Sequence, residues 1–528
     1  MAVSTSLTDL PRVVGHAGQT TAVQTGRVER APGSEFSSRA AAEAYIGKVC
    51  FKQGPPALIG AELEWLTAQG EPSASAPRPQ LTVLADALGP HAPQSISPDS
   101  PAHPLPGGSR VTIEPGGQIE LSSAPFGTAA ELCERLRTDT VRLRELLEAR
   151  DIHTFSASAD PARGPQRLLQ LPRYRAMERS FAGIGPFGAL MMCNTAATQV
   201  SVDAGADEAD ITARLTALYA IGPALLAAFA CSPTLSGAPP GTWASQRMRT
   251  WLRLDHLRTR PPVHNWPDPV AGYARWALDV PLLCVRPTSS LSADAGGNVS
   301  AEGPDSSISA NGSNGSASGS GSTGSAMDGS GNPVGLTGSA GAGSGNAAGS
   351  QGFSRPTGAA GPFGAGAARR PSSVAADWSA PPGATFADWL CGALDDEIGR
   401  RPDHSDLDYH LTTVFPPVRA SGHLEVRYLD AQPGDSWTVP VHAIDALVST
   451  PAVVAEATAL AGSTAALWSE AARYGLADPE IRAAAVALLD LATAHAASPS
   501  AAAELAAASH RCRQGLPPAS DPESGRGV

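Results

Sequence analysis

Five glutamates fall in apolar, strand-like segments of the chain: Glu62, Glu64, Glu114, Glu120 and Glu425. Side chains of a strand alternate between two faces, so residues two apart, such as Glu62 and Glu64, point the same way. A carboxylate among apolar strand residues is half-buried and needs a partner. If these segments join one antiparallel sheet, the like charges repel unless cations lie between them. Clustered oxygen ligands suit hard cations such as Mg²⁺ or Mn²⁺, which in turn bind nucleotide phosphates.

Two further polar residues follow the same alternation and are expected on that face. Gln199 lies in TAATQVSVD, residues 195–203, and Arg427 lies two residues after Glu425 in HLEVRY, residues 423–428. The residues alone leave an alternative open. In it the acids meet solvent or an arginine, and Arg427 forms a structural ion pair with Glu425.

Composition excludes several classes of protein. The 528-residue chain has a net charge of -12, which argues against nucleic acid as a partner. It has no run of 18 apolar residues, so no membrane span is expected, and its first residues lack the pattern of a secretory signal. Seven cysteines without CxxC spacing indicate reduced thiols in a cytoplasmic protein and no zinc site.

The scarcity of lysine limits how phosphates can be bound. The only lysines are Lys48 and Lys52, and the single Gly-Lys pair is followed by Val49 rather than by Ser or Thr. This excludes a phosphate-binding P-loop and disfavours Schiff-base chemistry. Phosphates must therefore be held by metal ions and arginines.

Changes in composition divide the chain into segments. We expect a disordered tail at 1–36, a catalytic domain in two parts at 37–286 and 377–440, a disordered insertion at 287–376, a helical region at 441–513 and a disordered tail at 514–528. The insertion is nearly all Gly, Ser, Ala and Asn. Such a segment cannot bury enough apolar surface to offset the entropy lost on ordering.

Local patterns predict the elements of the ordered parts. Helices are expected over 38–49, 127–150 and 207–229, where apolar residues recur at helical spacing. Strands are expected at 58–65, on both sides of Gly116-Gly117, at 152–158, 189–203 and 280–285, and between 409 and 428.

Taken together, six segments resemble the glutamate–cysteine ligases, in the branch that unites plant and actinobacterial enzymes. These segments are GAELEW, EPGGQIELS, MMCNTAATQVSVD, SQRMRTWLRLDHLRT, YARWALDVP and HLTTVFPPVRASGHLEVRYLD. They span residues 57–286 and 378–440, with the insertion between the two parts. The RYLDAQP motif and the helical tail are most similar to the actinobacterial group that serves ergothioneine biosynthesis.

The resemblance implies a glutamine-synthetase-like α+β catalytic fold: a curled antiparallel sheet with flanking helices and a C-terminal helical region. It implies ATP-dependent phosphorylation of the γ-carboxylate of L-glutamate, followed by attack of the L-cysteine amine to give γ-glutamylcysteine. ATP would be the co-substrate and Mg²⁺ or Mn²⁺ the metal. Two alternatives stay open, a ligase with another amine acceptor and a non-catalytic paralogue that binds nucleotide or amino acid.

The resemblance also implies roles for individual residues. The metal ligands would be Glu62, Glu64, Glu114, Glu120 and Glu425. Glu62 and Arg427 would act in catalysis, with Arg427 and Gln199 at the bound nucleotide or its metal. Substrate glutamate would be contacted by Arg247, Trp251, Arg258 and Thr195. The residues themselves leave open whether these arginines lie on a solvated helix face and whether Trp251 belongs to the core.

Overall fold

A computed structural model describes residues 36–71, 73–93, 101–261, 266–287 and 378–518. These ranges contain every candidate site residue. The predicted tails at 1–36 and 514–528 and the predicted insertion at 287–376 lie mostly outside the described residues. Their disorder therefore stays a prediction.

The strands of the described residues form one antiparallel sheet. They are β1 (Ile59–Gln69), β2 (Arg110–Ile113), β3 (Ile119–Ser122), β4 (Ile152–Phe155), β5 (Ala197–Asp203), β6 (Val418–Ala420) and β7 (His423–Asp430). Their order is β2-β3-β1-β5-β7-β6, and β4 pairs with the second half of β1. The sheet therefore joins strands from distant parts of the chain, and the expected α+β class is confirmed.

Helices surround this sheet. In the first part of the chain they are α1 (Arg39–Cys50), α2 (Leu81–Leu88), α3 (Ala129–Glu148), α4 (Pro172–Ala182), α5 (Phe187–Asn194), α6 (Glu208–Ala220), α7 (Gly222–Phe229), α8 (Gln246–Leu254), α9 (His256–Thr259) and α10 (Pro269–Asp279). After residue 377 they are α11 (Phe386–Cys391), α12 (Asp395–Ile398), α13 (His404–Leu411), α14 (Thr438–Leu447), α15 (Pro451–Ala461), α16 (Trp468–Tyr474), α17 (Pro479–Ala494) and α18 (Pro499–Arg513). Short 3₁₀ turns lie at Gly89–His91 and Gly475–Ala477.

One face of the sheet forms the main hydrophobic core with these helices. Leu63 and Trp65 of β1 are buried there, as are Val200 of β5 and Val426 of β7. Helix α3 contacts β1 and β3, α14 contacts β5, and α7 contacts β7. Because side chains alternate along a strand, the residues between these apolar ones are turned to the opposite face.

Helix caps and apolar stripes explain where several helices begin and pack. Ser38 caps α1 as predicted, since its hydroxyl accepts from the backbone N–H of Ala41. Helix α3, the longest among the described residues, buries the stripe that contains Leu132, Leu136 and Leu143. Helices α17 and α18 pack on each other, and α17 also contacts α7 and α14. The predicted C-terminal helical region is therefore attached to the helices that cover the sheet.

Two predicted elements in the first half of the chain were wrong. Residues 189–194, expected as the start of a long strand, belong to helix α5, and only Ala197–Asp203 form β5. The helix expected over 207–229 is two helices, α6 and α7, with Pro223 in the first turn of the second. Gly222 at this break packs so closely on Trp468 that a Cβ would lie 2.1 Å from its ring.

Two later predictions also differ from the structure. Residues 280–285 form isolated bridges, Pro281 to Thr385 and Cys284 to Ser379, instead of a strand. Residues 404–411 form helix α13, so the last sheet strands begin only at Val418. Short apolar runs fit either a helix or a buried strand, and tertiary packing decides between them.

No single helix of the described ranges is both long and apolar enough to cross a membrane. Two bent pairs, α6 with α7 and α14 with α15, reach that length and composition only when their helices are joined.

Candidate active site

The register of the sheet places the predicted carboxylates in adjacent rows on one face. Glu64 of β1 lies opposite Glu120 of β3. In the next row, Glu62 of β1 lies between Ser122 of β3 and Gln199 of β5. Residues from distant parts of the chain therefore become direct neighbours on the sheet.

Glu425 and Glu114 extend this set at its two ends. Glu425 of β7 lies opposite Ser201 of β5 and Arg419 of β6. Glu114 lies in the turn between β2 and β3, where its carbonyl accepts from the N–H of Gly117. Gly117 has a φ of +86°, a left-handed conformation that favours glycine. We call the surface that carries Glu62, Glu64, Glu114, Glu120 and Glu425 the acidic face.

Gln199 bridges the two glutamates of β1. Its Nε2 donates to Glu62 Oε2 at 2.9 Å and to Glu64 Oε1 at 3.0 Å. The backbone N–H of Ala197 donates to Glu64 Oε2 at 3.0 Å, and Ser122 Oγ donates to Glu62 Oε1 at 3.2 Å. By contrast, the Oε1 of Gln199 is buried and has no hydrogen-bond partner in the described part of the chain. This oxygen is available to bind a metal ion or to accept a hydrogen bond on the acidic face.

Burial raises the pKa of four of the five carboxyl groups. It raises the pKa of Glu64 to about 8, and the nearby Glu114 adds to the effect. Burial also raises the pKa of Glu62 and of Glu120 well above the ordinary value, and neighbouring carboxylates add to both effects. The pKa of Glu114 is raised by burial as well. Carboxylates in this setting are stabilised by a bound cation, so the acidic face favours positive ions.

Glu425 is different because two arginines hold it. Burial would raise its pKa, but Arg419 and Arg427 more than reverse that effect, and its pKa falls to about 2. Arg419 Nε donates to Glu425 Oε2 at 2.6 Å, and Arg427 Nη1 donates to Glu425 Oε1 at 2.9 Å. The Glu425 side chain is 1% exposed, against 23% for Arg419 and 13% for Arg427. The carboxylate is ionised at the bottom of the face, and the two cations lie nearer to solvent.

The donor set fits Mg²⁺ or Mn²⁺ held jointly by the protein and a nucleotide. The groups available on the acidic face are oxygens, including the unpartnered Oε1 of Gln199. Within the described ranges, no three or more His, Cys, Asp or Glu side chains are close enough to bind one ion by themselves. Mg²⁺ usually takes one or two protein carboxylates and completes its shell with water and phosphate oxygens. The arrangement suits that mode rather than a closed protein cage.

Arg427 connects the acidic face with helix α8. The guanidinium carbons of Arg427 and Arg247 lie 5.6 and 5.8 Å from the centre of the Trp251 ring. Arg247 is buried, and its Nη2 donates to the carbonyl oxygen of Arg427 at 2.8 Å. The Nε of Arg427 and the Nε1 of Trp251 are buried donors without a partner among the described residues. Arg247 and Trp251 therefore lie beside the acidic face.

A cavity opens beside Arg427 and Trp251. Apart from Thr259, its other lining residues are apolar: Met248, Leu252, Phe415, Pro416 and Pro417. Its volume is about 10 Å³, room for about one water molecule, so it is too small for a substrate.

Comparison with known proteins identifies the family. A family model described as glutamate–cysteine ligase family 2 matches residues 58–522. The chain belongs to glutamate–cysteine ligase family 2. It is 30% identical over 465 residues to the glutamate–cysteine ligase EgtA of Mycolicibacterium smegmatis, covering 88% of this chain and 86% of that protein. The plant likeness is also confirmed: the chloroplastic glutamate–cysteine ligase of Arabidopsis thaliana is 31% identical over 180 residues, 33% of this chain and 34% of that protein.

In this member of family 2, two residues predicted to bind substrate form hydrogen bonds inside the protein. Arg258 is completely buried and donates to the Asp255 carboxylate at 3.2 Å, to the Thr413 carbonyl at 2.6 Å and to the carbonyl of Pro281. The hydroxyl of Thr195 donates to a carbonyl of α5 at 2.9 Å. Buried polar groups need such partners. The geometry thus gives Arg258 and Thr195 structural contacts, and their role in substrate binding stays a prediction.

Two residues of the acidic face, Arg419 and Thr112, were not predicted from the amino-acid sequence. Arg419 holds Glu425, as described above. A signal was available, because the Ser421-Gly422 turn predicts a hairpin, and pairing outward from it brings Arg419 opposite Glu425. Thr112 was also missed, and its Oγ1 donates to Glu120 Oε1 at 2.6 Å.

Proposed function

We propose that this protein is an ATP-dependent glutamate–cysteine ligase that forms γ-glutamylcysteine through a γ-glutamyl phosphate intermediate. The observation that carries the proposal is the convergence of five glutamates from distant strands on one sheet face, with Gln199 and Arg427 beside them. Family membership and the likeness to the enzymes named EgtA support the same reaction. The enzyme would work in the cytoplasm and supply ergothioneine biosynthesis.

The glutamates of the acidic face would hold Mg²⁺ or Mn²⁺ against the ATP phosphates. When bound, such ions supply positive charge that offsets the phosphates and stabilises the transferred phosphoryl group. Glu62 and Glu64 are suited to binding a metal ion because hydrogen bonds from Gln199 already fix the positions of both side chains. Gln199 also offers its free Oε1 at the same place.

In the first step, a γ-carboxylate oxygen of glutamate attacks the γ-phosphorus of ATP, and ADP leaves with the electrons of the broken P–O bond. Negative charge develops on the transferred group, and positioned cations lower the energy of that state. Arg427 would supply such a cation, and two observations support this role: Glu425 anchors one of its nitrogens, and its Nε has no partner among the described residues.

In the second step, the cysteine amine attacks the acyl carbon, phosphate leaves, and the nitrogen loses a proton. The substrates must be held so that amine and acyl phosphate meet. Arg247 and Trp251, whose buried Nε1 has no partner among the described residues, would contact a substrate carboxylate beside Arg427. The apolar residues Phe415 and Pro416, which lie near Arg427, would limit access of water to the acyl phosphate and so reduce its hydrolysis.

An assay of ADP release tests the proposal. With Mg²⁺, the wild type should release ADP from ATP only when glutamate and cysteine are both present, and Glu62→Gln should abolish the release. Glu134→Gln changes an exposed glutamate of α3 and should leave the rate unchanged. Well-folded wild type that releases no ADP in response to glutamate would refute the proposal. A panel of amine acceptors would reveal a ligase with another second substrate, and binding without turnover would indicate a non-catalytic paralogue.

A further inference from the structure

Asp430, the last residue of β7, lies at a buried junction that the reaction scheme above does not use. It is 2% exposed. Its Oδ2 accepts from the backbone N–H of Cys231 at 3.0 Å and from Ser232 Oγ at 2.8 Å, and its Oδ1 accepts from Ser245 Oγ at 2.9 Å. One carboxylate therefore joins the end of β7 to the segment after α7 and to the start of α8.

Ser232 and Ser245 connect Asp430 to the first turn of α8 by hydrogen bonds. Ser245 is the N-cap of α8, and its Oγ accepts from the N–H of Met248 at 3.0 Å. Ser232 Oγ accepts from the N–H of Arg247 at 3.3 Å. Each hydroxyl has one proton, which it donates to Asp430, so its lone pairs stay available to the helix. Both oxygens of the Asp430 side chain accept hydrogen bonds here, whereas an amide at this position offers only one acceptor oxygen.

The first turn of α8 carries groups of the proposed active site. Arg247 is the second residue of the helix, Trp251 is one turn further on, and Arg247 Nη2 donates to the carbonyl of Arg427. Strand β7 thus holds α8 at two points three residues apart, the Arg427 carbonyl and the Asp430 side chain. A shift at the start of α8 would move Arg247 and Trp251 relative to the guanidinium of Arg427.

We propose that Asp430 is a positioning residue of the ligase, which sets Arg247 and Trp251 for binding of the glutamate substrate; this inference rests on the proposed function. Asp430 acts through Ser232 and Ser245 and does not touch the reacting atoms. Asp430→Asn keeps the shape of the side chain but places an amide proton donor against groups that already donate. Its effect therefore falls on the placement of α8.

Steady-state kinetics of the full chain test the inference. Asp430→Asn should raise the KM for glutamate by about tenfold and change kcat by less than about threefold, because binding is disturbed more than chemistry. Ser245→Ala should act in the same direction but more weakly. Because both changes act on one hydrogen-bond chain, the effect of the double variant should be clearly smaller than the product of the two single effects.

Asp139→Asn is the matched control. Asp139 is a buried carboxylate of α3 that accepts from the N–H groups of Gly107 and Ser109, neither of which belongs to α8 or β7. Its replacement should lower the melting temperature and leave the KM for glutamate unchanged. This separates loss of a buried hydrogen-bond acceptor in general from the specific effect at α8.

The possible outcomes are distinct. If the wild type shows no glutamate-dependent ADP release, the proposed function fails, and the inference fails with it. If the wild type is active and folded Asp430→Asn keeps its KM for glutamate within about twofold, the inference alone is overturned. If Asp430→Asn does not fold, Ser245→Ala decides: a raised KM supports the inference, and an unchanged KM overturns it.

Discussion

Replacing Glu64 by Gln should stabilise the metal-free protein while it removes activity. In the folded protein without metal, burial holds the pKa of Glu64 at about 8, against an ordinary value of 4.5. Each pKa unit corresponds to about 1.4 kcal/mol, so keeping this group protonated at pH 7 costs the folded state about 3 kcal/mol. A neutral glutamine does not carry that cost.

The substitution also loses a hydrogen bond, which reduces the gain. Glu64 accepts from Gln199 Nε2 and from the N–H of Ala197 through separate oxygens. A glutamine has one oxygen and can satisfy only one of these donors, at a cost of about 1 kcal/mol. The net expectation is a stabilisation of about 2 kcal/mol at pH 7 in EDTA, measured as the free energy of unfolding in urea.

The pH dependence gives this prediction a definite sign. Because the folded pKa of Glu64 lies above the unfolded value, its contribution is fully present below pH about 4.5 and is lost as the pH rises toward about 8. Over this window the wild type should lose more stability than Glu64→Gln. Added Mg²⁺ with ATP should make the wild type more stable than Glu64→Gln, because only the wild type has a carboxylate at position 64 to bind the metal.

Glu134→Gln, at an exposed site on α3, controls for loss of one negative charge and should change neither stability nor activity. A Glu64→Gln protein that is less stable than the wild type in EDTA would contradict the reasoning. So would a variant that keeps full ADP-releasing activity.

Three further predictions concern Arg427, Arg419 and His410. Arg427→Lys should lower kcat by about 100-fold with little change in melting temperature, because Arg419 still pairs with Glu425; unchanged kcat would contradict its role at the phosphoryl group. Arg419→Gln should lower the free energy of unfolding in urea by about 2 kcal/mol, because it removes one of two cations from a buried carboxylate, and Arg419→Lys should recover part of the loss. Burial, with a smaller contribution from Arg258, lowers the pKa of His410 to about 4, so stability present above pH about 6.5 should be lost as the pH falls toward 4. Urea unfolding at each pH should show that a His410→Gln variant loses less free energy of unfolding over that pH window than the wild type. If both proteins lose the same amount, His410 is not responsible for the loss.

Local sequence determined which side chains share a face. Alternation along a strand is a property of the backbone, so the amino-acid sequence alone assigns Glu62 with Glu64, and Glu425 with Arg427, to common faces. Ser38 as the cap of α1 was predictable for the same reason, since its partner Ala41 is three residues away.

Tertiary structure decided what those faces meet. The local sequence does not show that Gln199 pairs with Glu62 or that Arg258 donates hydrogen bonds to carbonyl groups of remote segments. Nor does it show that Asp430 anchors α8. Residues 189–194 show the same limit, because an apolar run satisfies a buried helix as well as a strand. The physical reason is range: backbone alternation and capping act over a few residues, whereas register and the partners of buried polar groups depend on which distant segments pack together.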